Sequence, residues 1–335
     1  MITIRHIVMP MALLASAALT ACGGGGGGSN NGAPSTPSSV EKLGITADNY
    51  DQVVASTGAA TAQASSSGHD GTNKDAKLTG VESHVLNWSQ LAQAAVNQAL
   101  AKQGGQLLLG AVSNQACVVS GNMSINIEGA AADAGLAVGE VITVDYSACV
   151  EEAGSRLDGR LKMKITKLAD QDITEMNLDL TSFKVTDSSA SDVVTGAMTV
   201  TKLPDLYVVN SPALTIVTTS GSVTQTEAWT NFLFTNADSS DKASRQVTFS
   251  GLLVSSELGN KSVEVTTPVA LTYVGTSTVP NSGKVEIKGA NNSIATLKVN
   301  SETSPVTISV DTNGDGTAEK SKSVAWDQIV GDDFN

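Results

Sequence analysis

From Ala116 to the C-terminus the chain alternates, residue by residue, between apolar and polar side chains. A period of two restricts such a segment to extended strands with one dry face and one wet face. Met123, Ile125 and Ile127 alternate with Ser124, Asn126 and Glu128, and Leu161, Met163 and Ile165 with Lys162, Lys164 and Thr166. Met176, Leu178 and Leu180 repeat the pattern, as do Val306, Ile308 and Val310. Gly, Asn, Asp and Ser interrupt these runs roughly every 8–15 residues, which predicts about a dozen strands. Helix-length segments between them are too few for the crossovers of a parallel sheet. The expected fold is mainly β: over 111–335, a large antiparallel meander forming a barrel-like or strongly curved sheet. Gly159, Gly196, Gly221, Gly251 and Gly283 each stand just before an alternating run. Their uneven spacing gives a hairpin rhythm rather than a solenoid repeat. Charge on one strand face without aromatic girdles argues against a membrane-spanning barrel.

The preceding segment, 41–110, reads as helical, with one or two helices. Thr46 is a good N-cap, and Tyr50, Val53 and Val54 recur at helical spacing, so a short helix is expected there. Ser56 to Asn73 is rich in Ser, Gly and Ala and reads as a loop. Val81 to Lys102 carries one apolar face through Val85, Trp88, Leu91 and Val96, and Gly104-Gly105 ends it. His84 lies one turn from Trp88, where packing or surface exposure is its expected role.

The first 40 residues are of a different kind. Arg5 and His6 make a short basic region, and Ile7 to Leu19 an apolar run of roughly a dozen residues, too short to span a bilayer that needs about 20. Leu19-Thr20-Ala21-Cys22 then looks like a lipobox, in which small residues precede the cut and the Cys22 thiol carries diacylglycerol. Residues 1–21 are thus expected to be a lipoprotein signal peptide. Stable attachment takes two or more acyl chains, which this processing supplies. Residues 22–40, with Gly23 to Gly28 and a Ser/Pro-rich stretch, form a flexible tether whose mean reach is roughly 20 Å. No Lys-Ser/Thr pair follows the glycines, so they do not form a phosphate loop. Gly23, in place of an Asp, favours transfer to the outer membrane.

The net charge of −13 sets the surface against nucleic acid and anionic lipid. Aromatic residues amount to 4%, too few for a surface that stacks bases or sugars. Only His69 and His84 lie beyond the signal, and G-x-S-x-G, H-E-x-x-H and C-x-x-C are absent. Glu151-Glu152 and Asp332-Asp333 read as solvated loop charges. No enzyme is expected.

Beyond Cys22 the cysteines are Cys117 and Cys149. Two in an exported chain, both beside strands, predict one structural disulfide, worth ~3–4 kcal/mol on the chain-entropy model. Asp311-Thr-Asn313-Gly-Asp315-Gly316 resembles the opening of a calcium loop, with Thr317 and Glu319 as further oxygen donors. Lys322 stands where the bidentate Glu of such a loop would be, and strands rather than helices flank it. A hairpin turn of Asp, Asn and Gly is the competing reading, so calcium is at most a weak ligand.

Several of these features together resemble a family of uncharacterised proteobacterial outer-membrane lipoproteins. They are the lipobox and Gly-rich tether, the Leu43-to-Val54 opening, Val144-Asp-Tyr-Ser-Ala-Cys149 with Gly159-Arg-Leu, the Asp311-x-Asn-x-Asp-Gly316 loop, and Val324-Ala-Trp326-Asp-Gln-Ile329. The resemblance implies a lipid-anchored domain in the periplasm and no reaction. Two roles follow as expectations. One is a structural or partner-binding envelope protein. The other is a carrier sheltering a lipid or other hydrophobic ligand in a curved sheet.

Overall fold

The computed structural model describes residues 40–62, 113–129, 136–150, 155–170, 172–186, 190–275, 277, 279–325 and 329. They belong to one compact unit, Val40–Asn335. Cys22, the expected tether, the expected helix from Val81 to Lys102, His69, His84, Trp326 and the paired carboxylates at 151–152 and 332–333 lie outside the described residues.

Fourteen strands form one antiparallel sheet in which spatial order is sequence order. They are β1 (Ser113–Ala116), β2 (Ser120–Glu128), β3 (Val141–Val150), β4 (Arg156–Ala169), β5 (Asp172–Thr186), β6 (Ser191–Leu203) and β7 (Leu206–Ser220). There follow β8 (Val223–Asp238), β9 (Ser244–Ser255), β10 (Lys261–Val274), β11 (Ser282–Lys288), β12 (Ile294–Val299), β13 (Val306–Asp311) and β14 (Lys320–Val324). The sheet is curved and open, not closed into a barrel. Every expected alternation holds: Met123, Ile125, Ile127, Leu161, Met163, Ile165, Val306, Ile308 and Val310 all point to the buried inner face. The outer face carries ion pairs between neighbouring strands. Arg160 donates to both carboxylate oxygens of Asp145, at 2.6 and 3.1 Å, and Lys167 meets Glu175 at 2.6 Å.

Gly159, Gly196, Gly251 and Gly283 do not precede strands; they lie inside them. Only Gly221 occupies a turn. The long central strands exceed what the sequence suggests because they run through bulges that break the alternation. Ladder shifts occur between Tyr146 and Cys149 in β3, Asp158 and Arg160 in β4, Leu180 and Phe183 in β5, and Thr230 and Leu233 in β8. At three of these, Ala148, Ser182 and Asn231 adopt left-handed backbone with φ between 48° and 52°. The bulges line up from strand to strand, making a crease across the sheet. A bulge bends its strand and increases twist, so a row of them curves the whole sheet. Gly159, at φ 100°, shows why glycine is required: a Cβ there would stand 2.5 Å from the Ser182 carbonyl oxygen on the facing bulge.

The helix α1 (Tyr50–Ala62) packs on β11, β12 and β13 through Tyr50, Val53, Val54 and Thr57. It overruns the expected loop, which was to begin at Ser56. The Thr57 hydroxyl donates to the Val53 carbonyl at 2.6 Å, so its polar group is satisfied inside the helix. The helix begins at Tyr50, so Thr46 caps the turn just before it, accepting from Asp48 N–H at 3.3 Å and giving its carbonyl to Tyr50 N–H at 3.1 Å. Lys320 and Lys322 of β14 place their ammonium groups 5.5 and 5.9 Å from the Tyr50 ring centre. Lys322 also pairs with Asp51 at 2.5 Å. The chain reaches the sheet at Glu41 and Leu43, which exchange backbone hydrogen bonds with Ser262. No helix among the described residues is long and apolar enough to cross a membrane.

Candidate functional site

Cys117, just past β1, and Cys149, in β3, are joined as a disulfide, their Cα atoms 5.5 Å apart. The bond staples the β1 edge to the third strand, a structural task. The turn between β13 and β14 gathers Asp311, Asn313, Asp315 and Glu319. Asp311 Oδ1 accepts from Asn313 N–H at 3.2 Å and Gly314 N–H at 2.7 Å, while its Oδ2 accepts from Gly316 N–H at 2.7 Å. Asn313 Oδ1 takes the N–H of Asp315, Asp315 Oδ1 that of Thr317, and Glu319 Oε2 that of Thr312. Burial pushes the Asp311 carboxyl up, but the N–H groups of Gly316, Gly314, Asn313 and Asp315 outweigh it and hold it below the usual carboxylate range. The oxygens read as calcium donors are all in one turn, and each carboxylate or amide accepts hydrogen bonds from the turn's own backbone.

A second acidic group was not foreseen. On β8 the inner-face sequence is Gln225, Glu227, Trp229, after which the bulge at Asn231 restores the phase at Phe232 and Phe234. Glu227 thus occupies an inward position, opposite Ile216 of β7 and Ser255 of β9. Its carboxyl is raised to about 7, first by burial, then by the charge of Glu257 and finally by that of Asp192. The Trp229 indole N–H opposes the shift without making a well-formed hydrogen bond. The surrounding groups are fixed. Thr218 donates to Asp192 at 2.6 Å, Gln225 donates to Glu257, and Gln52 of α1 donates to the Glu257 carbonyl at 3.0 Å. Glu257 belongs to a 3-10 turn, Ser256–Leu258, which Ser255 caps.

Such a carboxyl can gain or lose a proton near neutral pH, but the cluster around it supplies only carboxylates, amides and hydroxyls. Among the described residues no three His, Cys, Asp or Glu side chains converge on a metal-sized point. On the outer face, Lys162, Lys164, Asn177, Asp179 and Thr199 line a shallow open groove over β4, β5 and β6. One signal could have found Glu227: a charged residue standing in phase with Trp229 on the dry side of an alternating strand. Compared with known proteins, the chain matches no family model, no curated protein and no solved structure.

Proposed function

We propose that this chain is a lipid-anchored protein of the bacterial envelope, held by Cys22 to the outer membrane with its β domain in the periplasm. In this reading its role is structural or partner-binding and non-catalytic. The observation that carries it is the order of parts at the N-terminus: a short apolar run, Leu19-Thr20-Ala21-Cys22, then a Gly-rich stretch that ends before the compact unit begins at Val40. The packing of the domain supports a scaffold. Its inner face is filled by large side chains, with Trp229 against Phe232 at 5.2 Å and Tyr146 against Phe183 at 5.7 Å between ring centres. A lipid carrier would need that face left open. The resemblance to uncharacterised proteobacterial lipoproteins belongs to the same proposal.

The test is metabolic labelling with a palmitate analogue in a Gram-negative host, comparing the wild-type chain with Cys22→Ser. Label and outer-membrane fractionation of the wild type, both lost in the variant, are the expected result. An unlabelled wild type, or a variant that stays with the membrane, overturns the anchor. Native mass spectrometry of the purified protein addresses the role. A clean protein mass is expected, and a stoichiometric lipid adduct would replace the scaffold with a carrier.

A further inference from the structure

At the opposite end of β8 from Glu227 the inner face becomes polar again. Asp238 of β8 lies opposite Arg245 of β9, and Arg245 lies opposite Tyr273 of β10. Asn281 follows beside them, its N–H bonded to the Thr272 carbonyl at 2.6 Å. Arg245 is 6% exposed, one of the most deeply buried charged side chains of the described fold. A buried guanidinium is costly to the fold unless its charge and all its N–H groups are matched.

Here the match is incomplete. The guanidinium stacks over the Tyr273 ring at 4.8 Å, and Nη2 donates to the Ser277 carbonyl at 3.3 Å. Nε–H has no acceptor among the described residues. Burial disfavours the charged guanidinium, and Tyr273 and Asp238 only partly offset that; among the described residues no carboxylate makes an ion pair with it. Asp238 is held by Lys242 at 3.4 Å, Lys242 also takes Asp205, and Glu302 accepts from Ser277 Oγ at 2.9 Å. Two further buried polar atoms nearby lack partners among the described residues, the side-chain oxygens of Asn236, one step deeper on β8, and of Asn281. An amide can turn over to present its NH2 group instead, which makes both residues donors to an anion. Asp238, Ser277 and Asn281 are half-buried, so the guanidinium sits one side chain below the rim of the sheet.

We propose that Arg245 anchors an oxyanion-binding site at this end of the inner face, taking a carboxylate or phosphate group presented from the rim. The free Nε edge of a guanidinium suits a planar or tetrahedral oxyanion, with charge-assisted hydrogen bonds and an aromatic backing. Asn281 and Asn236 complete the donor set. The group has two chemical sources, a free anion or the head of an amphiphile, and both present the same oxygens.

The experiment is heteronuclear NMR of the arginine Nε–H resonances of the full chain, titrated in parallel with inorganic phosphate, acetate and octanoate at constant ionic strength. A saturable shift of the Arg245 resonance is expected, with Arg156 and Arg160 unmoved because Asp158 and Asp145 already hold them. Saturation by phosphate or acetate assigns a free anion; saturation by octanoate alone assigns an amphiphile head. Arg245→Met should raise the midpoint of the ligand's thermal-shift titration at least about tenfold. Arg245→Lys, which keeps the charge without the planar fork, covers the case in which the Met variant does not fold. Absence of a saturable shift with all three probes overturns the site, as does a lysine or methionine variant that responds like the wild type.

Discussion

At the scale of single residues the molecule is governed by a few polar groups placed on a face built for apolar ones. Glu227 is the clearest case, because its carboxyl is raised to about 7 by burial and by the charges of Glu257 and Asp192. Folding therefore favours its protonated form. The stability this group contributes is full below the ordinary glutamate range. It declines as pH rises from about 4.5 to about 7 and is gone above that, a penalty of roughly 3 kcal/mol at neutral pH. Glu227→Gln should raise the denaturation midpoint at pH 8 and leave it nearly unchanged at pH 4, so urea melts across that range give a flatter profile in the variant. Asp311 works in the opposite sense. Its lowered carboxyl adds stability above the ordinary aspartate range that is lost as pH falls through its folded value. Glu227, Arg245 and the Asp311 turn differ in how legible they were. The turn was visible because its residues are contiguous. Glu227 and Arg245 were hidden because their meaning depends on which side of the strand they occupy, and bulges such as the one at Asn231 shift that phase.

At the scale of elements the crease decides the shape. The sequence pattern was enough to place alternating strands and to mark Gly159, Gly196, Gly251 and Gly283 as special, yet it put those glycines before strands instead of inside them. The reason is that a bulge resets the period, so one bent strand reads as two short ones. Gly159→Ala should destabilise the protein by about 1–3 kcal/mol from backbone strain, with more from the contact against the Ser182 carbonyl. Gly221→Ala is the control: it lies in the β7–β8 turn at φ 58° with open space around it, and should cost only about 1 kcal/mol. Equilibrium denaturation of the two variants against wild type checks the contrast; equal effects would remove the crease as the cause. The length of α1 escaped the sequence for a related reason, because Ser and Thr break helices only where their hydroxyls lack a carbonyl to bond, and Thr57 has one.

At the scale of the whole molecule the defining property is that every strand pairs with its sequence neighbours. Stability in such an array is carried by neighbour-to-neighbour interfaces, and the ends have only one each. Amide exchange should be slowest in β5 to β9, whose long ladders lie at the centre, and fastest in β1 and β14. The Cys117–Cys149 bond slows the first of these edges, so reduction should raise exchange in β1 and β2 while leaving β13 and β14 unchanged. Peptide-resolved hydrogen exchange with and without reductant reads both effects, and uniform protection across the sheet would contradict them. The fold class was legible at this scale because a meander leaves its signature in local order alone. What the pattern left undecided was closure, since an open sheet and a barrel share the same alternation and differ only in whether the first and last strands meet.

The same neighbour-only pairing also bears on how the chain is made. None of the fourteen strands waits for a distant partner, so a chain delivered N-terminus first can zip each hairpin onto the last one as it arrives, while Glu41, Leu43 and α1 dock only once β10 to β13 are in place. Only the newest strand then offers a growing edge at any moment, and the disulfide, lying within the first three strands, can close before the remainder has emerged.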